Sequence, residues 1–272
     1  MRLRHGARWV VPPVNGGVRA PEPDVETVDR PVVAELSEVA VRYSNGALGV
    51  ERISFEVRAG QIVALFGPNG AGKTTSVRAL CGFLRSEQTR IERGRVTLLD
   101  RDVTGLEAHK IARMGVSFVP ERDKVFANLT VADNLRAAGD LPRQRQALHD
   151  RLDQVFELFP ALADLSRQAA GQLSGGQQQM LALGRAVLRH PRLLVVDELT
   201  LGLHHSLHEP LFDALQRITR NGTAVIVVDE SAGFSLDVAH HCYLLVGGVV
   251  RDSGPPEKFR GSELLAAGYV EA

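Results

Sequence analysis

The chain has 272 residues, a formal net charge of zero (32 basic against 32 acidic side chains) and two cysteines, Cys81 and Cys242. That balance excludes a global basic field for nucleic acid. Two isolated cysteines exclude a disulfide framework, and no apolar run approaches the ~20 residues that cross a bilayer as a helix. A hydrophobic content of 44% suits one large α/β domain, with or without a smaller lobe.

Residues 1–31 differ from the rest. Arg2, Arg4, Arg8 and Arg19 come first, then Glu22, Asp24, Glu26 and Asp29 among prolines; the composition predicts a disordered tail, or a basic segment touching lipid headgroups. Beyond it, 33–41 and 53–57 alternate apolar and polar, as half-buried antiparallel strands do. Gln61 to Phe66 is a short apolar run of buried-strand length, and Thr74 to Leu80 reads as helix, with no breaker before Gly82. Residues 94–99 and 115–119 are predicted strands, while the mixed-charge run Arg85 to Arg95 reads as a solvated loop. From Thr130 to about His190 the pattern is mostly helical, with Thr130 as a cap and Asp133 three places on. Leu148, Leu152, Val155, Phe156 and Phe159 recur at helical spacing up to Pro160. The apolar runs 193–196 and 224–228 predict parallel strands covered on both faces. Gly247-Gly248 between two apolar segments predicts a hairpin.

Between the strand at 61–66 and the helix at 74–80 lies Gly67-Pro68-Asn69-Gly70-Ala71-Gly72-Lys73-Thr74, which satisfies G-x-x-x-x-G-K-[ST] in its required strand-loop-helix context. Glycines let successive N–H groups face one anion, and the helix start adds free donors and a positive dipole end. The pattern implies a nucleoside triphosphate site, with Lys73 reaching the β- and γ-phosphates and the Thr74 hydroxyl ligating Mg²⁺. A second constellation is Leu194-Val195-Val196-Asp197-Glu198, an apolar strand ending in two carboxylates. Asp197 suits the Mg²⁺ shell and Glu198 suits polarisation of an attacking water. A third, Leu173-Ser174-Gly175-Gly176-Gln177, again puts a hydroxyl and free N–H groups at a helix start. One nucleotide does not need two cradles, so the pair predicts a dimer that holds ATP between the Lys73 loop of one protomer and the Ser174 loop of its partner.

Together these three motifs resemble the ABC ATPase family, over roughly Val33 to Ala272. The resemblance implies a P-loop NTPase (RecA-like) α/β core, an antiparallel β-subdomain and a helical subdomain at about 122–190, within an ATPase domain spanning 32–272. ATP and Mg²⁺ are the implied cofactors, with Thr75 completing the phosphate loop. Tyr43 stands where family members stack an aromatic on adenine, although a strand-ending tyrosine also serves as core or edge filler. The nearest subgroup in look is the branched-chain amino-acid uptake type, through Val119-Pro120-Glu121, Val125-Phe126, Leu129-Thr130-Val131 and Asn134-Leu135, with Leu201-Gly202-Leu203 and Tyr269 further on. Glu121, at the position usually called the Q-loop glutamine, makes the second of its two ATPase subunits (the LivF type) the better match.

What the resemblance implies is an ATP-hydrolysing importer subunit on the cytoplasmic face of the membrane, with Glu198, Lys73 and Glu121 in catalysis. Its partners would be transmembrane permease subunits, a second ATPase subunit (a heterodimer favoured over a homodimer) and, indirectly, a solute-binding protein, with no nucleic acid. Urea and amide importers share most of the pattern. Two positions depart from it. Leu199 replaces a common proline, and Glu230 stands where most members place a histidine on the γ-phosphate. A carboxylate cannot donate to phosphate and repels it, so a nucleotide-gated dimerising module with weak hydrolysis is the alternative expectation. His204, His205 and His208 are read as surface histidines, with Pro210 interrupting their helix, and His240-His241 as a helix end.

Overall fold

The computed structural model describes residues 30–122, 124–139, 144–200, 203–204, 207–230 and 233–260. The tail expected at 1–31 therefore falls outside the described residues except for Arg30 and Pro31, as do Leu201, Gly202, His205 and Tyr269.

Among the described residues, ten strands form one sheet in the order β5-β4-β1-β2-β10-β9-β3-β8-β7-β6. Its antiparallel half is built from β1 (Val32–Arg42), β2 (Leu48–Arg58), β4 (Arg90–Leu98) and β5 (Arg101–Asp102). The other half is parallel from β9 (His241–Val246) through β3 (Ile62–Phe66), β8 (Ala224–Asp229) and β7 (Leu193–Asp197) to β6 (Val116–Val119). The hairpin expected at Gly247-Gly248 joins β9 to β10 (Val249–Gly254). A single pair, Val249 with Arg52, links β10 to β2 and so the two halves.

Every residue of β3, β7 and β8 is buried, as the continuous apolar runs require of strands covered on both faces. Alternate side chains serve opposite layers. Ile62, Leu194, Val196, Val225 and Val227 pack under α6 (Gly175–Val187) and α7 (His208–Arg220). Val63, Leu65, Val195, Ile226 and Val228 pack against α1 (Lys73–Cys81) and the antiparallel strands. Helix α1 ends where expected, at Gly82 in the left-handed conformation. Among the described residues, four α-helices lie between β6 and β7: α3 (Val131–Arg136), α4 (Arg145–Leu158), α5 (Ala161–Asp164) and α6. Thr130 caps α3 by accepting from the Asp133 N–H.

Three local expectations are corrected. The run read as a loop at 85–95 is a short 3₁₀ turn, Leu84–Glu87, followed by β4, which pairs antiparallel with β1. Arg90, Glu92, Arg93 and Arg95 are all exposed, so this strand half carries no apolar alternation and is held by its backbone ladder. A bulge sits where Glu38 (φ 54°) faces Gly94 (φ 88°), and a Cβ on Gly94 would lie 2.4 Å from the Glu38 carbonyl oxygen. Pro210 does not interrupt α7: it lies in the first turn, where its missing N–H has no helical acceptor to lose. The third concerns His240. Helix α8 (Gly233–Val238) stops two residues before it, and its backbone N–H and Nδ1 clip onto Ile62 of β3 at 2.8 and 3.0 Å.

Candidate functional site

The C-terminal ends of β3, β7 and β8 lie side by side, which is where parallel sheets build ligand sites. Gly67 follows β3 with φ 149°, and an added Cβ would sit 2.0 Å from the Leu245 carbonyl oxygen. Gly72 has φ 95°, and its Cβ would meet Val50 and the Gly49 carbonyl at 2.5 and 2.8 Å. Both positions exclude any side chain. Gly72 is also the N-cap of α1, which has no side-chain cap bond and no acidic residue in its first turn. The positive end of that helix is left for an anion that the protein does not itself supply.

Lys73, the first helical residue, is buried, and its Nζ donates to the Gly67 and Pro68 carbonyls at 2.7 and 3.1 Å. Burial pulls its pKa below the usual lysine value, opposed by Glu198, Glu230, Asp197 and Asp229 in that order. Four acidic side chains thus act on one ammonium.

Asp197 ends β7 and is 3% exposed. Burial raises its pKa, while Arg78 and a hydrogen bond from Thr74 oppose the rise. Its Oδ1 is buried without a partner among the described residues, and buried polar atoms seldom go unsatisfied. A carboxylate oxygen left over beside a threonine hydroxyl is a hard-oxygen donor set of the kind Mg²⁺ takes, so these residues fit that ion. Glu198 follows with φ 51°, a left-handed backbone that costs a non-glycine residue energy and occurs at functional positions. Its N–H donates to the Val228 carbonyl at 2.8 Å. Burial raises the Glu198 pKa, with Lys73 opposing.

One residue of the site escaped sequence reasoning as a contributor. Asp229, at the end of β8, is buried, accepts from the Ser235 hydroxyl, and is pushed up to about 7 by burial. An apolar strand ending in an acid, as at Asp197, was the available signal. Asn69, expected in the phosphate loop, has a partner that was not: its side-chain amide donates to Glu230 Oε1 at 2.8 Å. Nothing local in the sequence joins residues 161 positions apart.

Of the remaining expected residues, Tyr43 lies against the first turn of α1, with its hydroxyl 2.9 Å from that of Thr75. Gly49 makes room, since a Cβ there would come within 2.8 Å of both side chains. Glu121, two residues beyond β6, is close enough to Asp197 to raise its pKa. The described residues bring Leu173 to Gln177 to a separate place. Ser174 caps α6 in a capping box with Gln177, and a Cβ on Gly176 would strike Leu207 at 2.0 Å. Among the described residues no group of three His, Cys, Asp or Glu side chains could hold a metal. His208 packs edge-on against Phe234.

Between Glu121 and α3 the chain is fixed from two sides. Asn134 brackets Phe126 through that residue's N–H and carbonyl at 2.8 and 2.9 Å. Arg185 of α6 donates to the Lys124 carbonyl at 2.7 Å and covers the Phe126 ring at 4.4 Å, while the Lys124 amine bonds Gln179. Phe126 and Leu129 nevertheless remain 48% and 39% exposed. Beside them opens a cavity of about 380 Å³ lined by Thr130, Arg136, Leu152, Phe156 and Arg167 among others.

A family model described as ABC transporter matches residues 50–201, more than half of the chain. The chain belongs to the ABC transporter family. The phosphate-loop fold and the two-carboxylate strand are therefore those of an ABC ATPase, an ATP-binding chain of the ABC transporter type. Among curated relatives, the high-affinity branched-chain amino acid transport ATP-binding protein BraG of Pseudomonas aeruginosa is 38% identical over 204 residues, 74% of this chain and 85% of the relative. The probable branched-chain amino acid transport ATP-binding protein LivF of Archaeoglobus fulgidus is 32% identical, covering 80% and 92%. The lipopolysaccharide export ATP-binding protein LptB of Acidithiobacillus ferridurans is 29% identical, covering 81% and 90%. In structure, a nucleotide-free ATP-binding cassette of an ABC transporter superposes with a TM-score of 0.77 at 21% identity, over 89% of this chain and all of that one. That likeness bears out the P-loop NTPase fold of the ABC type, antiparallel strands included.

Proposed function

We propose that this ABC ATPase powers uptake of a small solute, a branched-chain amino acid first among candidates, as a peripheral subunit on the cytoplasmic face of a membrane. The observation that carries the reading is the 38% identity to BraG across 85% of that protein's length. No helix among the described residues is long and apolar enough to cross a membrane, so the path for solute would come from permease subunits. The exposed Phe126 and Leu129, braced on α6 and α3 beside the cavity, form the docking surface we assign to them, within a helical subdomain at about 122–190.

In this reading Lys73 holds the β- and γ-phosphate oxygens, and the N–H groups from Gly67 to Thr75 surround the anion. Mg²⁺, held by Thr74 and Asp197, would offset phosphate charge. Glu198 takes a proton from the attacking water, a role suited to a carboxylate whose pKa burial has raised, and Glu121 helps to orient that water. Tyr43 offers its ring to adenine. Tyr43→Ala is then expected to weaken ATP binding by about 1–3 kcal/mol, the range for stacking on an aromatic, while Tyr43→Phe keeps most of the affinity. Equal affinities for the two variants in a calorimetric titration would remove the stacking role.

The second cradle, at Ser174, completes a partner's site in a dimer, a heterodimer by preference. A specific observation favours that choice: Glu230 adds a negative charge at this chain's own phosphate site, which lowers transition-state stabilisation there. The alternative of a dimerising module that hydrolyses ATP only weakly rests on the same residue. The test is reconstitution with permease subunits and a second cassette in vesicles, following ATP turnover and labelled leucine. ATP-dependent uptake that fails when this chain is omitted is expected, with little turnover from this chain alone. Export in place of uptake, or indifference to leucine, isoleucine and valine, would overturn the substrate reading. Vigorous turnover with no second cassette would overturn the heterodimer.

A further inference from the structure

We infer that Gly49 is a positioning residue for Tyr43, the gap that seats the tyrosine ring on the first turn of α1 at a fixed place relative to the phosphate loop. The inference rests on the reading of Tyr43 as the adenine platform. Val41 of β1 faces Val50 and Arg42 faces Leu48, so Gly49 is the extra residue of a bulge in β2. It is buried there, and its φ lies outside the left-handed region. The backbone therefore gives no reason for glycine, which weakens a strand interior and often marks a close approach. Here the approach is by side chains. A Cβ at 49 would stand 2.8 Å from both Tyr43 Cε2 and Thr75 Cγ2, and 3.3 Å from the Val41 carbonyl oxygen.

Both ends of Tyr43 are held once that gap is open. Its hydroxyl lies 2.9 Å from the Thr75 hydroxyl. Its backbone N–H donates to the Ala47 carbonyl, and its carbonyl accepts from the Gly46 N–H, both at 2.9 Å. Gly49 also meets the phosphate loop directly, since a Cβ on Gly72 would lie 2.8 Å from the Gly49 carbonyl oxygen. One bulge residue thus touches both the tyrosine and the N-cap of α1, and bulges beside ligand sites commonly re-aim a side chain. The separation between ring and loop is set within the chain, which lowers the ordering cost of stacking.

The test is a cycle of substitutions in the full chain, titrated with MgATP and, as a ligand without a base, with magnesium tripolyphosphate. Gly49→Val pushes the ring off α1 and is expected to weaken MgATP binding about tenfold, inside the span of roughly 5- to 150-fold that a stacked base supplies. Gly49→Ala, the smaller step, should cost about threefold. Tripolyphosphate affinity should change less than about twofold in either variant. In a Tyr43→Ala background the same changes should cost MgATP under about twofold, because the ring they displace is gone. Equal costs in the two backgrounds, or parental MgATP affinity in both Gly49 variants, overturns the inference. A matching loss of tripolyphosphate also overturns it, because it would put the effect on the phosphate loop. Failure of the platform reading is seen separately, as parental MgATP affinity in Tyr43→Ala, and would take the inference with it.

Discussion

Glu198→Gln is expected to bind MgATP as tightly as the parent and to hydrolyse it about 10²–10⁴-fold more slowly, the span that general-base catalysis supplies. The amide keeps the shape, and the backbone N–H at 198 keeps its bond to the Val228 carbonyl, so the left-handed turn at φ 51° survives. What goes is the basic oxygen. With binding intact and turnover lost, ATP should hold two cassettes together long enough for size-exclusion chromatography to separate the dimer. Single-turnover hydrolysis at the parental rate would make Glu198 a structural carboxylate and move the base elsewhere.

Lys73→Ala has the other large effect, and its direction follows from the charges around it. The ammonium is the cation set among Asp197, Glu198, Asp229 and Glu230. Without it the phosphates lose a buried counter-charge and approach four uncompensated carboxyl groups. Losing a hydrogen-bonded charge partner of this kind costs about 2–5 kcal/mol, or roughly 30- to 5,000-fold in affinity. Fluorescent nucleotide titration measures it. Unchanged affinity and turnover would remove the phosphate-loop assignment. Thermal stability should fall little, because relief of the buried lysine's desolvation offsets the loss of its bonds to Gly67 and Pro68.

What the sequence disclosed depended on how local each signal is. The loop from Gly67 to Thr74 and the strand ending in Asp197 and Glu198 were legible because neighbouring residues must satisfy a backbone requirement in a fixed order. The buried strands 62–66, 193–197 and 224–229 were legible because burial on both faces leaves an unbroken apolar run. The first half of β4 was not, since it faces solvent and its identity lies in the ladder with β1, whereas the second half falls in the strand expected at 94–99. Pro210 misled because its rule applies to helix interiors and it lies in a first turn. Long-range pairs such as Asn69 with Glu230, Tyr43 with Thr75 and Asp229 with its six-residue neighbour Ser235 required the folded chain. Glu230 illustrates the limit: its type was visible as a departure from the family pattern, while its bond to Asn69 was not.

The capping box at Ser174 bears on how fast two cassettes can meet. Ser174 and Gln177 satisfy each other's backbone donors from within the chain, and Gly176 is seated on Leu207. The loop is therefore ordered during folding of the subunit, and its entropy loss is already counted in the stability of the monomer. An encounter with a nucleotide-loaded partner then requires only orientation, not local refolding, which keeps association within the ordinary protein range of about 10⁵–10⁷ M⁻¹s⁻¹.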